Sequence, residues 1–417
     1  MQGRYINSVK AAYLGNQIAV QFFSMAVPVI LKARHASVAT LPVFASLSLM
    51  WCLRCAIVPP LLRFIAKTAP LRRSVALLLC MRVAIVTIFI GTALVTMSIS
   101  TLADLERILF AAGAAVCLLS GIERGLIDAS AMLEARGHEQ LECARVSLYE
   151  AFGVLLASTL TGGVLLALCA HYGIRPVLLM TAALLAALAM PICVDMSIGS
   201  HRSGEGESSV SISALPGTRR LGTAETGCYV VVIALGWLGI DLAFRVTQPL
   251  LLSQGVTLAR VGLSTVGIGI AVLGILATGQ IVPALRIFTS RHLESISGLL
   301  SALSAVLLTS ASVSGNPLVT VAGFLALKCG YFFFSAFATD TVIETGSKTG
   351  SIGAMVCASG LSYLASHFAV VPLLYWTTSH FSGYTVACCT SVLLVTSCMI
   401  GTRFLARRFR TRPAAPI

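Results

Sequence analysis

An all-α polytopic membrane protein of about twelve transmembrane helices, set six and six, is the fold class this sequence predicts. Three observations predict it. Apolar stretches of about 20 residues run through almost the whole chain, and about 20 helical residues cross the roughly 30 Å hydrocarbon core. Only 11% of residues are charged against 57% hydrophobic, where a soluble domain carries about 25% charge. A single long polar break, 197–226, divides the stretches into two sets of six. Only helices or closed barrels satisfy their backbone groups inside lipid, and stretches of this length read as helices.

The spans are expected at 11–31, 39–62, 74–98, 105–123, 146–170, 174–195, 228–252, 259–283, 293–312, 317–338, 351–376 and 384–405. The polar start, Met1–Lys10, precedes a stretch too long for a signal h-region and without a small-residue cleavage site, so no cleavable signal is expected. The break itself (HRSGEGESSVSISALPGTRR) has the Ser, Gly and charge content of a flexible linker. The domains are therefore expected at 1–196, a six-helix bundle; 197–226, a cytoplasmic linker; and 227–417, a second six-helix bundle.

Net charge is +13, and its placement sets the orientation. With both termini inside, the inner segments and inner span edges hold 20 of the 29 Lys and Arg. The outer loops and edges hold 5: Lys32, Arg34, Arg107, Arg175 and Arg260. Basic residues stay cytoplasmic. The same rule explains the basic tail Arg403 to Arg412 without any nucleic-acid partner. The setting is expected to be a bacterial inner membrane, with which the absence of any Asn-x-Ser/Thr sequon is compatible.

Thirteen cysteines are scattered through the spans, and the Cys52–Cys55 CxxC lies inside a predicted helix, where cysteine acts as a small apolar residue. His138-Glu139 is followed by Glu142, so the second histidine of a zinc-protease motif is missing. There is no GxSxG, and Gly346-Ser347-Lys348-Thr349 lacks the upstream glycine of a phosphate loop. The expectation is a protein that is not an enzyme and takes no cofactor or metal. With no ATP-hydrolysis motif, energy comes from a gradient, or the solute flows down its own.

A charge at a helix centre costs about 2.5–3.5 kcal/mol on insertion scales, so ionisable residues in spans face the bundle interior or a water cavity. Arg54 and Arg82 lie in the second and third spans. Asp241 and Arg245, four apart in the seventh, share a face and can pair, with Gln248 on nearly the same face. Lys328 precedes Tyr331-Phe332-Phe333-Phe334 in the tenth, His367 is central in the eleventh, and Glu150 opens the fifth. Tyr13, Gln17, Gln21 and Ser24 form one polar stripe on the first span. It either lines the solute path or hydrogen-bonds between helices. Of these, Gln17, Gln21, Arg54, Asp241, Arg245, Gln248, Tyr331 and His367 are the candidate substrate-binding residues. Arg63, Lys67, Arg72 and Arg73 lie in the short inner loop after the second span, and Arg124 and Asp128 end the fourth at i, i+4. Arg63, Arg124 and Asp128 are candidate gating residues, since salt bridges at inner ends can latch one conformation.

The two halves carry a faint repeat. Ile57-Val58-Pro59-Pro60-Leu61-Leu62-Arg63-Phe64 and Ile281-Val282-Pro283-Ala284-Leu285-Arg286-Ile287-Phe288 match at five of eight positions, each at the end of the second span of its half. This 6+6 layout resembles the major facilitator superfamily, whose halves are related repeats. Within it, the chain resembles the branch of AmpG-type muropeptide permeases, acetyl-CoA transporters and RhtX/FptX-type siderophore importers. Arg54 to Phe64 resembles the family's KFLWAPLVDRY, with Leu62 where the family has aspartate. Ile122 to Ala129 resembles TQDIAIDAY, with Asp128 at the second aspartate and Arg124 at the first. Leu238 to Gly255 resembles KLGDALADAMTQPFLLDLGFS, with Asp241 at the aspartate, and Lys348 to Met355 resembles TATQYALL.

The resemblance implies a secondary active transporter working by alternating access between two bundles. The compact chain looks most like the siderophore importers. That implies import of an amphipathic organic acid or its ferric complex, a pyochelin-like siderophore above all. Muropeptide import, or efflux of a drug or metabolite, is the alternative. The implied partners are a small-molecule solute, the lipid bilayer and coupling protons. In this reading Arg54 or Arg245 offsets an anionic solute's charge, and Tyr331 with Phe332 packs an aromatic ring.

Overall fold

The computed structural model describes residues 2–36, 40–68, 70–134, 140–202, 223–281, 293–349 and 352–379, with 385, 389–391, 394 and 395. Among the described residues, eleven helices are long and apolar enough to cross a membrane. They are α1 (Lys10–Ala33), α2 (Thr40–Leu62), α3 (Ala76–Val95), α4 (Leu102–Ala129), α5 (Glu150–Tyr172), α6 (Ile174–Val194), α7 (Tyr229–Ser253), α8 (Leu258–Ile275), α9 (Ser295–Ser314), α10 (Pro317–Thr339) and α11 (Met355–Trp376). Each falls on one of the expected apolar stretches. The twelfth, 384–405, lies mostly outside the described residues, and the few positions of it that are described are helical. The second copy of the proline repeat, Ile281 to Phe288, lies outside the described residues except for Ile281.

The two ends of the bundle differ. At the far face, where α1 ends, the turns are tight. Gly173, Gly255 and Gly315 sit at φ +80°, +82° and +66° in the α5–α6, α7–α8 and α9–α10 turns, a region that glycine reaches without steric cost. At the near face, where α1 begins, the helices run on past the apolar stretches. α4 continues to Glu134 and α10 to Thr349. The segment holding Arg63, Lys67, Arg72 and Arg73 is not an open loop. It is helical to Thr68 and again from Pro70, with Pro70 at a helix start, where its missing N–H costs nothing. Helix also enters the expected linker from both sides, to Arg202 and from Thr223.

The packing repeats with an offset of six helices. α1 packs on α4, α5 and α6, and α7 packs on α10, on α11 and, through Gly239, on Ser391–Val395. α3 packs on α4 as α9 packs on α10, and α2 on α4 as α8 on α10. Across the middle, α2 meets α11 as α5 meets α8, and α4 meets α11 as α5 meets α10. α1 and α7 are the most enclosed spans. The apolar side chains of α3, α6, α8 and α9, such as Val83, Met190, Leu263, Ile270 and Leu299, point outward, as a lipid-facing surface requires.

Small residues set the crossing where α5 meets α8. A Cβ on Gly262 would stand 2.7 Å from the Ala167 amide nitrogen and 2.8 Å from the Gly163 carbonyl oxygen. Backbones in membranes approach this closely only through Gly and Ala.

Candidate functional site

The buried ionisable groups fall into layers. Nearest the α1 start, Arg124 on α4 donates from Nε to Asp128 Oδ1 at 2.8 Å and from Nη1 to Glu150 Oε1 at 2.8 Å. The Tyr13 hydroxyl of α1 donates to the same Asp128 oxygen at 3.0 Å. Glu150 Oε2 accepts from Ser335 Oγ at 2.7 Å and Thr339 Oγ1 at 3.0 Å, both on α10. One carboxylate thus ties α4 and α5 to α10 and closes the near end. Arg124 and Asp128, expected as a gate, are both in this cluster. The side chain of Arg63 lies outside the described residues.

A second pair, Arg82–Glu123, is enclosed within the first six helices. Arg82 Nε donates to Glu123 Oε1 at 2.9 Å, and Nη2 donates to the Ala12 carbonyl oxygen at 3.1 Å. Asn16 donates to Glu123 Oε2 at 2.9 Å. The guanidinium occupies the space where Gly15 lacks a Cβ. This pair locks α1, α3 and α4 together.

The middle layer centres on α7. Arg245 Nε donates to Asp241 Oδ2 at 2.7 Å, the i, i+4 pair expected from the sequence. Its other two nitrogens reach the first six helices. Nη1 donates to the Ser24 carbonyl oxygen at 3.0 Å, and Nη2 donates to Ser48 Oγ at 2.7 Å. The Ser24 carbonyl is free for a local reason. Pro28, four residues on, has no N–H to donate to it, and the helix opens into a π-turn at Phe22–Ala26. A second π-turn, Leu160–Leu165 on α5, presents the Gly162 carbonyl oxygen to Gln248 Nε2 at 2.9 Å. Two side chains one turn apart on α7 therefore read the two π-turns, irregularities that recur at functional sites. His367 on α11 completes the layer, with Nε2 3.4 Å from Asp241 Oδ2.

The stripe on α1 divides. Gln21 reaches Gln17 and the Val154 carbonyl oxygen of α5, both at 3.4 Å, and its own Oε1 has no partner among the described residues. Ser24 Oγ bonds back to its own helix. Gln17 and Gln21 are buried between helices.

Arg54 stands apart from these networks. It is 1% exposed. Its Nη2 donates to Ser359 Oγ of α11 at 3.3 Å, while Nε and Nη1 have no partner among the described residues. Its guanidinium carbon lies 3.8 Å from the Trp51 ring centre and 5.0 Å from that of Tyr363. Tyr363 in turn stacks on Trp237 at 4.6 Å and meets Trp51 edge-on at 4.8 Å. Trp237 also contacts Tyr331, which packs on Phe244. The indole N–H groups of Trp51 and Trp237 are both buried without a partner among the described residues. Four donors without a partner among the described residues thus belong to three side chains that neighbour the Tyr363 ring. The composition of the spans pointed to Arg54 and Tyr331, but not to Trp51, Trp237 and Tyr363. Trp51 is one turn before Arg54, the spacing at which a ring meets a side chain on the same face.

Lys328 is likewise 1% exposed and faces Thr159 Oγ1 at 3.4 Å and the Phe324 ring at 5.4 Å. The cavities beside these groups are small. One of about 10 Å³ touches Arg124, Trp237, Ser359 and Tyr363, and one of about 20 Å³ touches Ser24, Phe244, Arg245 and Gln248. Each has room for about one water. A wider concavity of about 580 Å³ opens at the far face between Arg34, Thr101, Tyr172 and Arg175, and no buried charge lines it. Among the described residues, the helices pack closely around these central groups.

No protein-family model matches the chain, and no curated protein does. Solved structures do. The proton:xylose symporter XylE of the major facilitator superfamily, bound to 6-bromo-6-deoxy-D-glucose, matches with a TM-score of 0.66 at 12% identity, over 99% of this chain and 97% of that one.

The chain has the major facilitator fold.

A bacterial homologue of the iron transporter ferroportin, outward-facing with soaked iron, matches at a TM-score of 0.63 and 15% identity over 96% of this chain and 99% of that one. The POT family transporter PepTSo matches at 0.64 and 12% over 97% and 99%. The xylose symporter and the ferroportin homologue differ in cargo, so the shared fold carries no single substrate. The chain is thus a multi-pass helical membrane protein of twelve-helix design, and the repeat seen in its packing is the one on which this fold is built.

Proposed function

We propose that this protein is a secondary active transporter that moves a small organic anion across the membrane by alternating access. The two bundles are 1–196 and 227–417, joined by 197–226. The near face is cytoplasmic, as the excess of basic residues on that side requires, and the membrane is the bacterial inner membrane.

One observation carries this reading: the part-unpaired Arg54 in its aromatic surround. A charge at this depth costs about 2.5–3.5 kcal/mol. Contact with Trp51 and Tyr363 returns about 2 kcal/mol. A resident ion pair, as at Arg82 and Arg245, would offset the rest, yet Arg54 has none among the described residues. An anionic solute with a flat apolar body completes it. Its charge meets Arg54 and the two indole N–H groups, and its body meets Trp237, Tyr331 and Tyr363. Solutes of this size need about 300–1,000 Å³, so they bind when one end of the bundle opens and the central groups separate.

Within that class the sharpest candidate is a ferric phenolate siderophore of the pyochelin kind, imported to the cytoplasm. Support for it comes from the motif resemblance at Arg54, Asp128 and Asp241 and from the aromatic surround of Arg54. The test is accumulation of radio-iron-labelled ferric pyochelin in cells with and without the protein, with outer-membrane passage intact. Protein-dependent accumulation is expected, lost in Arg54→Ala while the variant still reaches the membrane folded. Normal uptake by that variant would remove Arg54 from the path. Equal accumulation with and without the protein would remove the siderophore and direct the search to other aromatic anions.

A further inference from the structure

We infer that the solute carries two anionic groups on one flat body, the first held by Arg54 and the second by Lys328. The inference rests on the transport reading of the central site and names its substrate class.

The argument starts from which buried charges are already matched. Five cations are buried among the described residues: Arg54, Arg82, Arg124, Arg245 and Lys328. Four carboxylates are buried with them: Glu123, Asp128, Glu150 and Asp241. All four are taken. Arg82 holds Glu123, Arg124 holds both Asp128 and Glu150, and Arg245 holds Asp241, none at more than 2.9 Å. Asp128, the acid that acts most on Arg54, is turned to Arg124 and Tyr13 instead. Arg54 and Lys328 are left with no acid in ion-pair contact among the described residues. Lys and Arg are almost never fully buried unless paired, and inside a membrane such groups mark solute paths.

Each of the two holds a hydroxyl from the other six helices. Arg54 on α2 donates to Ser359 Oγ of α11 at 3.3 Å, and Lys328 on α10 donates to Thr159 Oγ1 of α5 at 3.4 Å. Both distances exceed the usual range of about 2.7–3.2 Å for such bonds. Thr159 Oγ1 sends its own proton to the Leu155 carbonyl oxygen at 2.9 Å, so a lone pair faces the ammonium. An ammonium has three donors, and this is the one hydrogen-bond acceptor Lys328 has among the described residues. One unmatched cation thus stands on each half of the molecule, and each is held across the seam by a single long bond. Separation of the halves frees both.

A path of rings joins them. Arg54 lies 5.0 Å from the Tyr363 ring centre, Tyr363 stacks on Trp237 at 4.6 Å, and Trp237 meets Tyr331 at 5.4 Å. Tyr331 packs on Phe244 at 5.3 Å, Phe244 on Phe324 at 5.5 Å, and the Lys328 ammonium lies 5.4 Å from the Phe324 ring centre. Such rings take a flat apolar body by stacking or by edge contact. A solute with one charge would match one cation and leave the other buried and unpaired. A dianion matches both, and it bridges the two halves.

The experiment is isothermal titration calorimetry of the full-length protein in lipid nanodiscs with naphthalene-2-carboxylate and naphthalene-2,6-dicarboxylate. The probes share one ring system and differ by one carboxylate. A hydrogen bond to a charged group corresponds to about 10- to 100-fold in affinity, so the wild type is expected to bind the dicarboxylate tighter by that factor, as a single copy. The monocarboxylate is expected at Arg54, where two guanidinium nitrogens and two indole N–H groups stand open. Lys328→Met keeps an unbranched side chain and removes the charge. It is expected to bring the dicarboxylate down to the affinity of the monocarboxylate while leaving the monocarboxylate unchanged, which also shows that the variant is folded. Arg54→Met is expected to weaken both probes. Should Lys328→Met lose both, Lys328→Gln repeats the test, and the wild-type comparison stands without either variant. Equal wild-type affinities, two monocarboxylates bound at once, or a dicarboxylate preference that survives loss of the lysine overturns the inference and leaves the Arg54 reading in place. Binding of neither probe removes that reading and this inference together.

Discussion

Replacing Ser335 and Thr339 together by Ala isolates the near-face latch. These two α10 hydroxyls donate to Glu150 Oε2 at 2.7 and 3.0 Å. The double variant removes both bonds but leaves the salt bridges of Arg124 to Asp128 and Glu150. A hydrogen bond to a charged group is worth about 1.5–3 kcal/mol in soluble proteins, while interhelical bonds in membranes average about 0.6 kcal/mol. Taking about 0.6–1.5 kcal/mol each, the pair contributes about 1–3 kcal/mol to holding α10 against α5. Those bonds exist only with the near end closed, so the whole amount shifts the closed-to-open equilibrium. At 1.4 kcal/mol per tenfold, that is about 5- to 150-fold toward near-face opening. The assay is pulsed electron–electron distance measurement between spin labels at the near ends of α5 and α10, in a background cleared of the thirteen cysteines. The long-distance population is expected to grow by that factor. An unchanged distribution would refute the latch, and it would place the bonds in a packing role within one conformation.

Other perturbations separate structural from moving parts. Glu123→Gln leaves Arg82 buried and unpaired within the first six helices, and breaking a buried pair in this way costs about 3–5 kcal/mol. Its thermal unfolding in detergent is expected to fall well below that of the wild type, and Arg82→Met with Glu123→Leu to recover most of the loss. Gly262→Ala puts a methyl against the Ala167 and Gly163 backbones, and such overpacking costs about 1–3 kcal/mol. Spin labels at the far ends of α5 and α8 are expected to report a wider separation. Gln248→Leu removes the bonds to the Gly162 carbonyl and Thr265. It is expected to raise cysteine-labelling rates at the far end of α5 while leaving the protein folded.

Much of the fold was legible because hydropathy is local. Each of the eleven spans can be read from its own residues, since a run of apolar side chains has no other stable place than lipid or a core. The pair Asp241–Arg245 was legible for the same reason: i, i+4 spacing puts both on one face before any other helix arrives. The near-face helices were harder. Arg63 to Arg73 carry charge enough to suggest a loop, yet helical propensity and Pro70 at a helix start extend α2 to Thr68 and start α3 at Pro70.

Sequence alone determined the membrane class, the number and place of the spans and the list of charges that lipid would not tolerate. Tertiary structure decided what each charge meets. Asp128 and Glu150 share Arg124 because α4 and α5 both pack on α1, which brings their side chains within reach of each other; Arg245 finds the Ser24 carbonyl because Pro28 leaves it free on a helix more than 200 positions away. Among the described residues Arg54 has no acid in ion-pair contact while Arg82 has one, though both look alike along the chain. The physical reason is range. Hydrophobic burial acts on a segment by itself, whereas a hydrogen bond or ion pair acts over about 3 Å and exists only once two distant helices have been brought to that distance.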